Sequence, residues 1–342
     1  MKLLIKFFLV VLLVLLVLGS CKTSPDDVFT FNIKDGFNIE TTSSFQMDAL
    51  VKTTMQINKD ELFEAEMTTL RKFEASIISS NKITDSDKLG KISFSEKVSS
   101  AKYSVVQNRD HSGENSVALT FNDGKAVTEK KSLLGKVIKD QPDFEEAARE
   151  TFMNMIKDSE REGVATVEKN GNLVSVDAEM SIKSAIVQEM HNKSGFFGIV
   201  FPQNKRIKEG DTWIEKKVVS FFDGLQILGN PLDIEVLFKR NNDEYWNGRE
   251  VAIFSAEYSF KKDNVNGIYE TYHVLTNLSG EYKTIFYFDK LKKRLLKKEF
   301  FSKSTFAPGD EPDKSQYPLQ YKIDLNMKNI FSYVSIFSEQ TK

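Results

Sequence analysis

The chain has 342 residues, 47 lysines and arginines against 49 aspartates and glutamates, a formal net charge of −2 and one cysteine. Charge this evenly balanced argues against nucleic-acid binding, which shows as positive charge clustered on one face, and a single cysteine excludes an intrachain disulfide framework. A body of about 320 residues buries enough surface to fold without such staples.

Lys2 and Lys6 precede an unbroken apolar run from Phe7 to Leu18, after which the residues shrink to Gly19 and Ser20. A positive start, an apolar stretch and small residues form the layout of a secretory signal. The run is shorter than the roughly 18 to 20 apolar residues of a spanning helix, so a permanent membrane helix is disfavoured.

Leu18-Gly19-Ser20-Cys21 resembles the lipobox of bacterial lipoproteins. The resemblance implies that residues 1–20 are a signal peptide, that the chain is cut before Cys21, and that the Cys21 sulfur carries a diacylglycerol. The membrane is then a partner through the N-terminal acyl chains, such as palmitate. Each buried methylene contributes about 0.8 kcal/mol, so two or three chains hold far more firmly than one. Residues 21–27 become a short lipidated tether interrupted by Pro25. Lys22, standing where aspartate marks inner-membrane retention in some bacteria, tilts the expected location toward the outer membrane of the envelope, facing the periplasm or the surface.

From residue 28 to 342 the pattern is that of strands. Between 60 and 78, Phe63, Ala65, Met67, Phe73, Ala75 and Ile77 fit one strand face, although Phe63, Met67 and Leu70 also fit a helix; strand is the reading. Asp143 to Glu162 predicts the one clear helix. Asp143 and Glu146 form a capping box, Phe144, Ala148, Phe152, Met155 and Ile156 make one apolar stripe, and Gly163 supplies a stop. Further on, Leu232, Ile234, Val236 and Phe238, then Ala252, Phe254, Ala256, Tyr258 and Phe260, and finally Leu319, Tyr321, Ile323, Leu325 and Met327 alternate with polar residues. This is the period of half-buried strands in an antiparallel sheet. Turn signals stand at Asn122-Asp123-Gly124, Lys169-Asn170-Gly171-Asn172, Asn247-Gly248 and Ser279-Gly280, where Asn-Gly accepts the positive φ of tight hairpins. Residues 307–313 and Pro318 read as a loop. The expected fold is mainly β (α+β): a large antiparallel, curved sheet, or two packed β lobes, 28–140 and 163–342, joined by the 143–162 helix.

Phe201-Pro202, followed by Lys208-Glu209-Gly210-Asp211-Thr212-Trp213, and later Phe286-Tyr287-Phe288-Asp289, resemble elements of a group of uncharacterised, strand-rich bacterial lipoproteins and secreted proteins over about residues 165–300. In physical terms Gly210-Asp211 is a turn that delivers Trp213 onto a strand, either into the core or toward a ligand. The adjacent pairs Phe196-Phe197, Phe221-Phe222 and Phe300-Phe301 point to opposite faces of a strand. A sheet apolar on both faces is either covered twice or curved around a cavity. Trp213, Phe221 and Phe222 are therefore candidate ligand or core aromatics.

No residue is assigned to catalysis, to a cofactor or to a metal. The nucleophile-elbow, zincin, phosphate-loop and dinucleotide motifs are all absent. His111, His191 and His273 have no ligand partner at metal spacing, Asp110 beside His111 reads as a solvated turn, and Asp310, Glu311 and Asp313 lack the calcium-loop spacing. The basic run from Lys290 to Lys298 reads as a turn and strand with a solvated face, or as a contact with anionic headgroups. Two functions follow. One is a non-enzymatic, lipid-anchored envelope protein whose curved sheet, covered by the helix, holds an apolar ligand or docks an envelope partner, or serves a purely structural role. The other is an envelope hydrolase using paired carboxylates.

Overall fold

A computed structural model of the chain describes residues 28–32, 36–55, 65–85, 90–109, 113–122, 124–133, 144–178, 197–219, 221–222, 225–269, 272–310 and 321–339. They form a 15-stranded antiparallel sheet and one helix. The first five strands are β1 (Phe37–Met55), β2 (Ala65–Asp85), β3 (Lys91–Arg109), β4 (Glu114–Asn122) and β5 (Lys125–Leu133). The helix α1 (Phe144–Ser159) precedes β6 (Arg161–Val167) and β7 (Leu173–Ala178). The remainder comprises β8 (Thr212–Val219), β9 (Phe221–Phe222), β10 (Leu225–Ile227), β11 (Leu232–Trp246), β12 (Arg249–Tyr269), β13 (Tyr272–Asp289), β14 (Arg294–Pro308) and β15 (Tyr321–Glu339).

The two ends of the chain meet in the middle of the sheet. β1 pairs with β15 along its whole length, from Phe37 opposite Glu339 to Met55 opposite Tyr321. On one side β2 to β5 follow as successive hairpins, and on the other β14, β13 and β12 follow in reverse. Each side then forks. The first residues of β3 pair with β6 and its later residues with β4; β12 likewise pairs with β11 at its start and β10 at its end. A single strand thus borders two different neighbours, which splits the outer edge and lets the sheet bend.

The bend is large. Phe222 on β9 and Phe306 on β14 lie four strand positions apart, about 19 Å in a flat sheet, yet their ring centroids are 5.8 Å apart. The Tyr269 hydroxyl on β12 donates to Met327 Sδ on β15 at 3.6 Å. The β9–β15 half is therefore curled, and its concave face carries the main core. Alternation decides which residues enter it: in β11, Leu232, Ile234, Val236 and Phe238 are buried, and the residues between them are exposed. The lower end is closed by 28–32 and 197–207, whose Phe29, Phe31, Phe197 and Phe201 pack against Phe254, Phe288 and Phe37. Phe31 N donates to Lys169 O and Phe201 N to Asn170 O, at 2.6 and 2.9 Å. Each ring shut away here contributes about 1.5–3 kcal/mol.

α1 covers the other half. Ala148, Phe152 and Ile156 are buried against Ala101, Tyr103, Val105, Val117, Leu119 and Phe121 of β3 and β4, as the stripe predicts. The helix is shorter than its expected 143–162 span, and Gly163 does not stop it. Glu160 N bonds back to Ile156 O and Lys157 O, and the chain enters β6 at once, with Gly163 opposite Phe94 of β3. Asp143, the expected cap, lies outside the described residues.

Ser279-Gly280 is not a turn. Both residues lie inside β13, opposite Lys261 and Phe260, and a Cβ on Gly280 would come within 2.7 Å of the Phe260 and Tyr282 rings. The glycine makes room for aromatic packing rather than reversing the chain. Asn247 and Gly248, with φ of 50° and 75°, do form the tight β11–β12 hairpin. Residues 65–78 are strand, as read; Phe63 lies outside the described residues.

Candidate functional site

Between the closed lower end and the upper core of Phe222, Phe306 and Met327, the concave face bears a belt of rings. Register sets it. Tyr258 stands opposite Tyr282, which is opposite Ser302, then Phe331, then Phe45, across β12, β13, β14, β15 and β1. One row below, Phe300 stands opposite Tyr333. Tyr258 and Tyr282 stack at 4.2 Å, Phe300 and Tyr333 at 4.9 Å, and Phe331 lies 5.8 Å from Phe300 and 6.4 Å from Phe45. Unlike the rings of the lower end, all six are only half-buried.

Charge gathers at the lower border of the belt. Lys298, one inward-facing position below Phe300 on β14, is half-buried, with Nζ 5.7 Å from the Phe286 ring centroid and 5.2 Å from that of Tyr333. Across the curl, β8 contributes Trp213, Glu215, Lys217 and Val219 on its inward side. Lys217 Nζ lies 3.9 Å from the Glu215 carboxylate and 5.9 Å from the Phe238 ring. Burial lowers the Lys217 ammonium to a pKa of about 8; Glu215 opposes the fall and the positive charge of Lys298 adds to it. Burial likewise pushes the Glu215 carboxyl up, against the pull of Lys217. Beside them, Thr41 and Ser335 share a hydroxyl hydrogen bond at 2.9 Å in the same register row as Lys298.

The candidates read from sequence fall in several places. Trp213 is half-buried and stacks on Phe238 at 5.1 Å; its buried indole N–H faces Glu215 without closing a hydrogen bond. Phe222 is core, between Phe260 and Phe306. Phe221 lies in β9 opposite Gln226, and its side chain is outside the described set. Cys21, His111, His191, Glu311 and Asp313 lie outside the described residues altogether, and His273 is placed only by its register opposite Ile268. Asp310 exchanges hydrogen bonds with Asn264. Phe301, the outward partner of Phe300, is 46% exposed.

The Gly210-Asp211 element is architectural. Gly210 N donates to Arg240 O at 2.8 Å, Arg240 N to Asp211 O at 2.9 Å, and Lys208 N to Asp211 Oδ2 at 2.8 Å. The turn fixes Arg240, whose guanidinium lies 5.2 Å from the Phe29 and Phe254 ring centroids and pairs with Asp243. Asp243 and Glu250 both meet Lys290. Burial alone would raise Asp243, but Lys290 and Arg240 overcome it and hold the carboxyl below its ordinary range. Both acids are thus tied to the same ammonium. The basic run is a turn and strand: Lys292 and Arg294 pair with Glu339, and Asp289 Oδ1 accepts from Leu291 N and Lys292 N. There are two shallow depressions of about 390 and 450 Å³. One is bordered by Trp246, Arg294 and Glu339, and the other by Tyr258, Tyr282, Glu257 and Lys283.

The belt and its lysines were missed from sequence. Their trace is a charged residue on the inward parity of a strand: Glu215 and Lys217 between Trp213 and Val219, and Lys298 before Phe300. Among the described residues, no helix is long and apolar enough to cross a membrane, and no three metal-ligating side chains gather.

No family model and no curated protein matches the sequence. Among solved structures, a lipovitellin described for its lipid–protein interactions aligns with 90% of this chain at 6% identity and a TM-score of 0.39, and this chain spans only 26% of that one. OccK7 (OpdD) of Pseudomonas aeruginosa aligns over 89% of this chain and 99% of its own at 9% identity, with a TM-score of 0.21. A Pseudomonas aeruginosa FadL homologue aligns over 89% and 91% at 9% identity, with a TM-score of 0.20. These scores are too low to carry an argument; the fold assignment of a mainly β chain with one large antiparallel sheet and one helix rests on the strand ladders themselves.

Proposed function

We propose that the chain is a lipid-anchored protein of the bacterial cell envelope, without catalysis of its own, that holds an apolar ligand on the concave aromatic belt. The observation that carries this reading is the partial exposure of five contiguous rings, Tyr258, Tyr282, Phe300, Phe331 and Tyr333, on the inside of a curled sheet. Apolar area left in water forgoes about 25 cal/mol per Å², and contiguous exposed apolar patches mark binding surfaces. A ligand laid on the belt would recover that free energy. The charged lower border gives such a site orientation, which is the usual division of labour in ligand sites. Anchoring rests on Leu18-Gly19-Ser20-Cys21 behind its apolar run. The Asp243–Glu250 pair, tied to Lys290, lends the hydrolase alternative no support.

The ligand reading is tested by titrating delipidated full-length protein with the fluorescent fatty acid cis-parinaric acid. Saturable uptake is expected, with the double substitution Phe300→Ala and Phe331→Ala weakening it at least about tenfold, or about 1.4 kcal/mol. Absence of uptake by the wild type ends the ligand reading and leaves partner docking. Anchoring is tested separately by mass spectrometry of the native N-terminus, where an acylated Cys21 is expected, and by loss of membrane recovery in Cys21→Ser.

A further inference from the structure

Lys298 is a half-buried cation with aromatic neighbours. Among the described residues no carboxylate lies within ion-pair distance of it; its neighbours are the Phe286 and Tyr333 rings and, across the curl, the like charge of Lys217. Ring faces attract an ammonium but supply no counter-charge. Lys217 pairs with Glu215 at 3.9 Å, whereas Lys298 meets rings and a like charge. Taking a cation out of water is costly unless it is paired, and an anion arriving from a ligand would meet that need.

The position of Lys298 matters as much as its charge. Its Nζ lies over Tyr333, the ring on which Phe300 stacks, so the cation touches the first ring of the belt and the remaining rings lead away from it. Hydroxyl donors stand beside it, since Ser335 is its register partner and Thr41 that of Ser335. Gly198 closes the lower side: a Cβ there would lie 2.5 Å from Lys298 Nζ.

We infer that the ligand is a long-chain fatty acid, its carboxylate held by Lys298 with Lys217 nearby and its acyl chain laid across Tyr333, Phe300, Phe331 and Tyr282. This rests on the apolar-ligand reading above and adds the head group, the orientation and the residue that selects it. A charge-assisted hydrogen bond to a carboxylate is stronger than a neutral one, so the site discriminates an acid from an alcohol of the same length.

The test is calorimetric titration of delipidated full-length protein with palmitate and with 1-hexadecanol at neutral pH. Palmitate is expected to bind about tenfold tighter or more. Lys298→Met, which keeps the length of the side chain over its rings, is expected to bring palmitate down to the alcohol's affinity while hexadecanol binding changes by less than about twofold. Unchanged hexadecanol binding also reports that the variant is folded; Lys298→Gln serves if the methionine variant is not. Equal affinities in the wild type, or a preference for palmitate that survives in the variants, overturns the head-group assignment and leaves the belt as an apolar site. If neither molecule binds the wild type, both readings fall together.

Discussion

The helix-covered half of the sheet and its curled half use the same alternating strands to opposite ends. On β3 and β4 the inward residues Tyr103, Val117, Leu119 and Phe121 are closed off by Ala148, Phe152 and Ile156 of α1, and Phe152 is 0% exposed. On β12 to β15 no helix lies over the belt among the described residues, and Tyr258, Tyr282, Phe300, Phe331 and Tyr333 stay half-open. Among the described residues the expectation that the helix lids a ligand cavity is therefore replaced by a division: α1 completes the core over β3 and β4, and the curled face bears the belt.

Truncation of one ring on each side gives the largest effect that tests this division. Phe152→Ala removes a fully enclosed ring, 5.3 Å from Tyr103, and is expected to cost about 3–5 kcal/mol of stability in denaturant unfolding. Phe331→Ala gives up only part of a ring's burial and is expected to cost about 1 kcal/mol. Equal costs at the two positions would mean that the belt is a sealed core and that the contrast between the halves is unreal.

The second effect concerns charge under the curl. With Lys217 near pKa 8 in the fold against 10.5 as its unperturbed value, the unfolded chain binds more protons than the folded one between those pH values. Stability should rise with pH across that window, because the folded state carries the penalty of a buried ammonium below it. The upper bound is about 3 kcal/mol. Among the described residues Glu215 on the same strand and Lys298 on β14 are charges facing Lys217, and both stay in place in Lys217→Met, so the difference between wild type and variant reports on this group. Parallel pH profiles for the two proteins would show that β8 does not fold its lysine inward.

Much of the fold was legible because alternation is a local property. In β11 the sequence Leu232, Ile234, Val236 and Phe238 carries its own face assignment, and the stripe of α1 does the same at helical spacing. What failed locally was decided by distant chain. Gly163 reads as a helix stop, but β3 recruits it into β6; Ser279-Gly280 reads as a turn, but two rings need the space. The belt was hidden by a bulge. Phe288 pairs with Leu295 and Tyr287 with Lys297, so Leu296 is extra and the inward parity shifts from Leu295 to Lys298 and Phe300. Counting by twos from Leu295 turns Lys297 and Phe301 inward instead, and the lysine that borders the site then reads as solvent-facing. A bulge moves every later side chain to the other face, and nothing in Arg294-Leu295-Leu296-Lys297 marks it.

The smallest effect lies at the rim of the helix-covered half. Glu145 on α1 accepts from Thr128 Oγ1 at 2.7 Å and from Lys131 Nζ at 2.9 Å on β5, and Arg149 donates to Ala126 O at 2.7 Å. The hydrogen bond from Lys131 first, then that from Thr128, holds the Glu145 carboxyl down at about 2, against an ordinary 4.5. A depressed carboxyl stabilises the fold above its unfolded pKa, and that contribution is lost as pH falls from 4.5 toward 2. Surface pairs of this kind contribute little, so Glu145→Gln should leave global unfolding almost unchanged. Amide exchange in α1 and β5 should instead quicken above pH 4.5 relative to wild type, with the two proteins converging near pH 2. Exchange rates that match at every pH would show that the apolar stripe alone seats the helix, which would make the closed half still less dependent on its rim than the open half is on Lys298.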